Sequence, residues 1–166
     1  MEALFRKLTA NDVEARVQSA DENGFVLLIY KNARVDQNIL DGTLTPFGWQ
    51  NKYEEVKGNL YCSIGIRTAN GEWIWKSNCG TESNTEKEKG EASDAFKRAG
   101  FNWGIGRELY TSPFIWIPAD KCNIYNGKCY DKFVVEKIKI ENKQITGLAI
   151  VNETKKTRCF VWQKEQ

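Results

Sequence analysis

Apolar and polar residues alternate with a period of two in several segments of the chain, and this spacing predicts β-strands. The first two predicted strands, residues 13–19 and 25–30, are joined by a polar segment that ends at Gly24, which indicates a hairpin. Three more predicted strands follow, with tight turns between them, at residues 49–56, 60–67 and 72–79. After Pro113 the pattern predicts a further β-rich region, with strands at residues 114–117, 132–140, 145–151 and 158–162.

Residues 83–107 follow a helical period instead. Their apolar side chains recur every three or four residues and form one stripe along the predicted helix: Ala92, Ala95, Phe96, Ala99 and Trp103. Because the stripe is rich in alanine, another element can approach the helix backbone closely. We therefore expect this helix to cover the apolar face of the preceding three-stranded sheet, and to end at Gly104 and Gly106.

Two shorter helices are predicted nearer the N-terminus, at residues 1–9 and 32–40. The start of the long helix offers two alternative capping boxes, Ser83 with Glu86 or Thr85 with Glu88.

Three sequence motifs follow one another in a fixed order: KNARVDQNILD, then FGWQNKYEEV, then KGEASDAFKRAGFNWGIGRELY. This order resembles the Rad52/Rad22 family of single-strand annealing proteins, especially its short phage and bacterial members. The resemblance covers roughly residues 13–110, and its most specific part is DAFKRA followed by WGIG. It implies an α+β fold with a Rad52-like β-β-β-α core, in which one long helix covers an antiparallel sheet, with an N-terminal hairpin and a β-rich C-terminal extension.

The resemblance fades after residue 112. We therefore expect residues 1–112 to form the Rad52-like annealing core. Residues 113–166 are then a β-rich extension of the same domain or a small subdomain.

The family resemblance also implies a function. Its members bind single-stranded DNA and anneal complementary strands in homologous recombination and DNA repair, without ATP, metal or another cofactor and without enzymatic chemistry. They assemble as homo-oligomers, in rings or helical filaments, and a single-strand-binding protein or an exonuclease is a further expected partner. The resemblance also favours a phage origin. Because no apolar run is typical of a signal peptide or a membrane span, we expect a cytoplasmic location, in the host cell if the protein is phage-encoded.

The resemblance places a DNA-binding groove along the long helix. Lys97 and Arg98 match its basic pair, and Arg34 in KNARV matches another basic residue of the groove. Lysine and arginine neutralise phosphates regardless of base sequence. The alternative for Lys97 and Arg98 is an ordinary solvated charge pair. The alternative for Arg34 is an ion pair with Asp36 or with glutamate side chains nearby in space.

Further candidates are weaker. Lys76, Lys89 and Arg107 are chosen only because they lie close to the helix or its preceding strand, and an ordinary surface role is the alternative for each. Phe101 stands where many family members carry another basic residue. Its ring is expected to stack on a base, to pack into an adjacent subunit, or to turn into the core. The aromatic residues that offer stacking surfaces, with a core position as the alternative, are Trp49, Trp73, Trp75, Trp103 and Tyr110.

Charge is distributed unevenly along the 166 residues, although the net charge is only +2. Residues 1–120 hold 14 basic and 17 acidic side chains, a balance of −3, whereas residues 121–166 hold 10 basic and 5 acidic side chains, a balance of +5. A protein that binds nucleic acid through a global positive field would be more basic. The sequence therefore predicts a local groove.

Other residue types argue against an enzyme. Histidine is absent, which removes the commonest general base, and the five cysteines are irregularly spaced, as expected of reduced thiols rather than a zinc site. Gly104 and Gly106 follow a predicted helix rather than a strand, so a dinucleotide site is not indicated. No apolar run resembles a signal peptide or a membrane span. The rival hypotheses are a module that coats single strands without annealing them and a metal-dependent nuclease.

Overall fold

The computed structural model describes residues 4–81 and 87–165. Within them the chain forms eleven strands and two α-helices. In chain order these elements are β1 (Glu14–Ala20), β2 (Gly24–Tyr30), α1 (Ala33–Leu44), β3 (Trp49–Val56), β4 (Asn59–Arg67), β5 (Trp73–Cys79), α2 (Lys87–Asn102), β6 (Trp116–Pro118), β7 (Ile124–Tyr125), β8 (Lys128–Cys129), β9 (Phe133–Glu141), β10 (Gln144–Asn152) and β11 (Thr157–Gln163). Short 3₁₀ turns lie at Ala10–Asp12, Arg107–Thr111 and Ala119–Lys121.

The predicted fold class is wrong. Strands make up 45% of the structure and helices 24%, so the protein is mostly β. Its largest element is a nearly closed, barrel-like sheet of six strands, rather than a sheet covered by one long helix. The N-terminal hairpin is not an appendage, because β1 and β2 are strands of that six-stranded sheet.

The chain divides into two compact units, and each is made of two separate segments. The first unit comprises Met1–Arg6 and Asn32–Gly106, and the second comprises Lys7–Lys31 and Arg107–Gln166. The units do not follow the expected division at residue 112, because the N-terminal hairpin folds with the C-terminal strands.

In the first unit, β3, β4 and β5 form an antiparallel sheet with β4 in the centre. The alternation along β4 places Cys62, Ile64 and Ile66 on one face, where all three are buried. Helix α2 packs against this face with its alanine stripe, and Ala95 and Ala99 are fully buried. Gly80, just after β5, permits the close approach, since a Cβ there would lie 2.3 Å from the carbonyl oxygen of Glu91.

In the second unit, the six strands follow the order β11-β10-β9-β1-β2-β6, and the two edge strands β11 and β6 approach each other. Every neighbouring pair is antiparallel. The interior is filled by large apolar side chains that are almost completely buried, including Phe25, Leu27, Ile117, Ile145 and Ile150. The rings of Phe25 and Phe133 pack edge to face with 5.3 Å between their centroids, so β2 and β9 are in contact in the core.

The two short helices have different outcomes. The prediction at residues 32–40 is confirmed as α1, whose first turn is capped by the Asn32 side chain accepting a hydrogen bond from the Arg34 backbone at 3.0 Å. The prediction at residues 1–9 is wrong for the described part, because residues 4–9 form no helix. The proposed capping residues Ser83, Thr85 and Glu86 lie outside the described residues.

Candidate nucleic-acid interface

Lys97 and Arg98 lie near the middle of α2, beside the buried stripe, and both are half-buried. Their ionic environments differ. Arg98 Nε donates to Asp94 Oδ2 at 2.8 Å, one helical turn earlier. Lys97 has no carboxylate within ion-pair distance among residues 4–81 and 87–165. The sequence predicted a pair of equivalent cations. In the described part of the structure, Arg98 is paired with a carboxylate and Lys97 is not.

Asp94 is held in its ionised form by two partners. Its Oδ2 accepts from Arg98 and from both the backbone N and the Oγ1 of Thr81, at 2.9 and 3.1 Å. Burial raises the pKa of Asp94, but the hydrogen bonds from Arg98 and Thr81 and the charge of Arg98 outweigh this and lower the pKa below its ordinary value. The Asp94–Arg98 pair therefore connects α2 to Thr81, which follows β5. Arg98 thus has a structural role.

Lys76 also has a structural partner. It lies on the helix side of β5, opposite Ile64, and its Nζ donates to the Asn102 carbonyl oxygen at 3.1 Å. The same ammonium lies 4.6 Å from the ring centroid of Trp103. Because Asn102 is the last residue of α2, the lysine places a positive charge at the negative end of the helix, where it is stabilising.

Arg34 is exposed near the start of α1, and its side chain makes no ion pair within the described residues. The alternative partner, Asp36, is fully buried instead. Its carboxylate faces α2, since a Cβ at Gly100 would lie 3.2 Å from Asp36 Oδ1. Gly100 therefore allows α1 and α2 of the same chain to pack closely.

Phe101 follows Gly100 in the last turn of α2 and is half-buried. The helix ends at Asn102, before the predicted stop at Gly104 and Gly106. A chain reversal follows, in which the backbone N of Ile105 donates to the Gly100 carbonyl oxygen at 3.0 Å. Ile105 is fully buried, so the WGIG motif turns the chain back onto the core.

The two remaining candidates are not brought to the basic pair by any described contact. Lys89 is exposed in the first turn of α2, about two turns before Lys97. Arg107 is exposed and begins the second segment of the other unit. Their assignment to a groove stays a prediction.

Two of the five candidate stacking residues support the helix. Trp49 packs against Phe96 at 5.9 Å between ring centroids, and its Nε1 donates to Asp41 Oδ1 at 2.7 Å. Trp103 Nε1 donates to the Ile64 carbonyl oxygen at 3.0 Å. Both indoles are therefore fixed between α2 and the sheet.

Trp73 and Trp75 lie on the sheet face opposite α2, with their ring centroids 6.2 Å apart. The sequence did not identify Lys52, whose Nζ lies 4.7 Å from the ring centroid of Trp75. The sequence could have indicated this contact, because the alternation along β3 and β5 places Lys52 and Trp75 on the same face of the sheet. The structure separates this cation–aromatic cluster from Lys97 by the thickness of the sheet.

No family model, curated protein or solved structure matches this chain. The resemblance to Rad52-like proteins therefore rests on the quoted motifs. Neither described helix is long and apolar enough to cross a membrane. Within residues 4–81 and 87–165, no three cysteine, aspartate or glutamate side chains are grouped so that they could hold a metal ion.

Proposed function

We propose that this protein is a Rad52-like single-strand annealing protein, which binds single-stranded DNA and pairs complementary strands without ATP or metal. The observation that carries the proposal is that Arg34 and Lys97 are the predicted groove cations whose side chains make neither an ion pair nor a hydrogen bond with any described residue. The helices that carry them pack together at Asp36 and Gly100, within about one turn of each cation.

The proposed mechanism uses positioning and charge alone. Arg34 and Lys97 contact phosphates, so that the backbone is held while the bases face outward for pairing. Base pairing supplies the free energy of annealing. The protein acts as a homo-oligomer in recombination or repair, in the host cytoplasm if it is phage-encoded, and the groove continues from one subunit to the next.

Lys97→Gln combined with Arg34→Gln tests the proposal. Two lost phosphate contacts are expected to lower the log–log salt slope of single-strand binding by about 1.4, at about 0.7 per phosphate. The annealing rate of labelled complementary oligonucleotides is expected to fall with it. Lys137→Gln with Lys139→Gln, on exposed positions of β9, is the charge-matched control and is expected to behave as the wild type.

Four outcomes would contradict the proposal or parts of it. Wild-type protein that does not bind single strands overturns it altogether. Binding without acceleration of pairing identifies a coating module. An unchanged slope and rate in the Arg34 and Lys97 double variant overturns the groove assignment. The mass in solution, measured with and without an oligonucleotide, tests the oligomer, and a monomer under both conditions contradicts it.

A further inference from the structure

Lysines and tyrosines gather at one end of the second unit. This end lies where β9 begins and β10 ends, and it includes the β7–β8 hairpin and the turn between β10 and β11. The name lysine–tyrosine surface is used here for the side chains of Lys121, Tyr125, Lys128, Tyr130 and Lys156, all of which are exposed.

Asn152 holds this end together. Its side chain is fully buried, and Nδ2 donates to the Lys121 carbonyl oxygen at 3.1 Å and to Asp131 Oδ2 at 2.7 Å. Its Oδ1 accepts from the backbone N of Lys155 at 3.1 Å. One buried amide thus joins three separate segments, so the surface is displayed on a fixed frame rather than on independent loops.

The three lysines of the surface are not engaged in ion pairs within the described part of the chain. Lys121, Lys128 and Lys156 have no carboxylate within ion-pair distance among the described residues. Two nearby acids are engaged elsewhere: Glu153 pairs with Lys132 at 2.7 Å, and Asp131 accepts hydrogen bonds from Asn123 and Asn152. Lys155 is also used internally, since its Nζ donates to the Asp120 carbonyl oxygen at 3.2 Å.

The tyrosines supply exposed ring faces. Tyr125 is 76% exposed and lies in the short strand β7, opposite Lys128 of β8, whereas Tyr130 is 83% exposed and follows β8 outside any strand. Tyr125 also borders an open pocket of about 670 Å³, together with Glu22, Asn123 and Asn126. The Glu22 carboxylate would repel a phosphate but accepts hydrogen bonds from the amino group of a base, so the pocket suits a base rather than the backbone.

We propose that the lysine–tyrosine surface is a second binding surface for single-stranded DNA, on which Lys121, Lys128 and Lys156 contact phosphates while Tyr125 stacks on an unpaired base. This inference rests on the proposed function for its ligand. It uses three of the ten basic residues that follow residue 120.

The combination of side chains favours single-stranded nucleic acid over other acidic partners. An acidic protein or an anionic membrane would bind the lysines, but its binding would not require exposed tyrosine rings beside a polar pocket. Double-stranded DNA would satisfy the lysines, but its stacked bases cannot reach Tyr125. A flexible strand presents phosphates and unstacked bases together.

Two variants of the full-length protein test the inference. Lys121→Gln, Lys128→Gln and Lys156→Gln together are expected to lower the salt slope of single-strand binding by about 2, at about 0.7 per phosphate. The matched control is Lys137→Gln, Lys139→Gln and Lys143→Gln, which removes three charges from β9 and its far turn. Each set includes one lysine with positive φ, at 54° for Lys156 and 61° for Lys143, so backbone strain is matched as well.

Tyr125→Ala tests the stacking contact. Loss of one base–aromatic contact is expected to weaken binding on the order of 10-fold, whereas Tyr125→Phe keeps the ring and is expected to bind as the wild type. Melting temperatures of all variants identify any that fail to fold, and ultraviolet crosslinking of wild-type protein to an oligonucleotide gives a readout that needs no variant. A crosslink at Tyr125 supports the inference.

The outcomes separate this inference from the proposed function. If wild-type protein does not bind single strands, both fail. If it binds, but the triple lysine variant and Tyr125→Ala keep wild-type affinity and slope and no crosslink forms at Tyr125, the second surface is overturned while the groove on α2 stands. If the triple lysine variant and Tyr125→Ala lose as much affinity for a fully paired duplex as they lose for a single strand, the single-strand assignment is overturned.

Discussion

Trp75 lies directly over Gly65, its partner across the β4–β5 pair. A Cβ added at Gly65 would stand 2.8 Å from Cε3 of the indole, closer than real Cβ atoms approach a neighbour. The glycine thus provides the flat backbone on which the ring rests. The ring itself remains 37% exposed, with Lys52 above it.

Gly65→Ala is therefore expected to destabilise the protein by about 1–3 kcal/mol, because the indole must move to make room for the methyl group. Gly42→Ala is the matched control. Gly42 lies in α1 with nothing within 4 Å of its Cβ position, so alanine there is expected to be neutral or to stabilise by about 0.5–1 kcal/mol. Urea unfolding measures the stability of both variants, and equal unfolding midpoints for the two would contradict the packing argument.

Asp94→Asn is expected to reduce stability at neutral pH by about 0.5–1 kcal/mol, since it removes the charge that Arg98 and Thr81 stabilise. The pKa of Asp94 is lowered in the folded state from its ordinary value of 3.8. The carboxylate thus stabilises the fold above that pH, and this contribution disappears as the pH falls through the lowered value. The difference between wild type and variant is expected to shrink in acid.

Unfolding midpoints measured from pH 7 to pH 2 test this prediction. Glu55→Gln, on the exposed edge strand β3, is the control for loss of one carboxylate. A difference between wild type and Asp94→Asn that stays constant over the whole range would mean that the ionised form of Asp94 is not what stabilises the fold.

Local structure in the first unit was predictable, because it depends on patterns within a few residues. The alternation of β3, β4 and β5 and the Asn32 cap of α1 are read from adjacent positions. The six-stranded sheet was not predictable, because it joins Glu14 to Val134, from opposite ends of the chain. No periodicity within either strand records which distant strand will be its neighbour.

In the candidate site, too, contacts within one element could be predicted from the sequence and contacts between elements could not. The ion pair between Asp94 and Arg98 has the spacing of one helical turn, so it could have been read from the sequence. The contact from Lys76 to Asn102 depends on how the helix lies across the sheet, and neither residue signals it alone. After these structural roles are assigned, Arg34 and Lys97 remain the groove candidates matched by the family resemblance, and Lys89 and Arg107 remain weaker predictions.

Lys76→Met separates a structural role from a DNA contact. Loss of the cation at the C-terminus of α2 is expected to lower stability by about 0.3–1 kcal/mol. Single-strand affinity and its salt slope are expected to stay at wild-type values, in contrast to the Arg34 and Lys97 double variant. A reduced slope with unchanged stability would instead return Lys76 to the groove.

Phe101→Ala distinguishes the three roles that the sequence left open. The ring is half-buried in the last turn of α2, next to the glycine that packs against Asp36 of the same chain. Because this environment already belongs to the first unit, we expect the main effect to be a loss of stability of about 1–2 kcal/mol, smaller than for a fully buried phenylalanine. Assembly and single-strand affinity are expected to persist. Dissociation of the oligomer without loss of stability would place Phe101 at a subunit boundary, and weaker binding by an intact, equally stable assembly would make it a base-stacking residue.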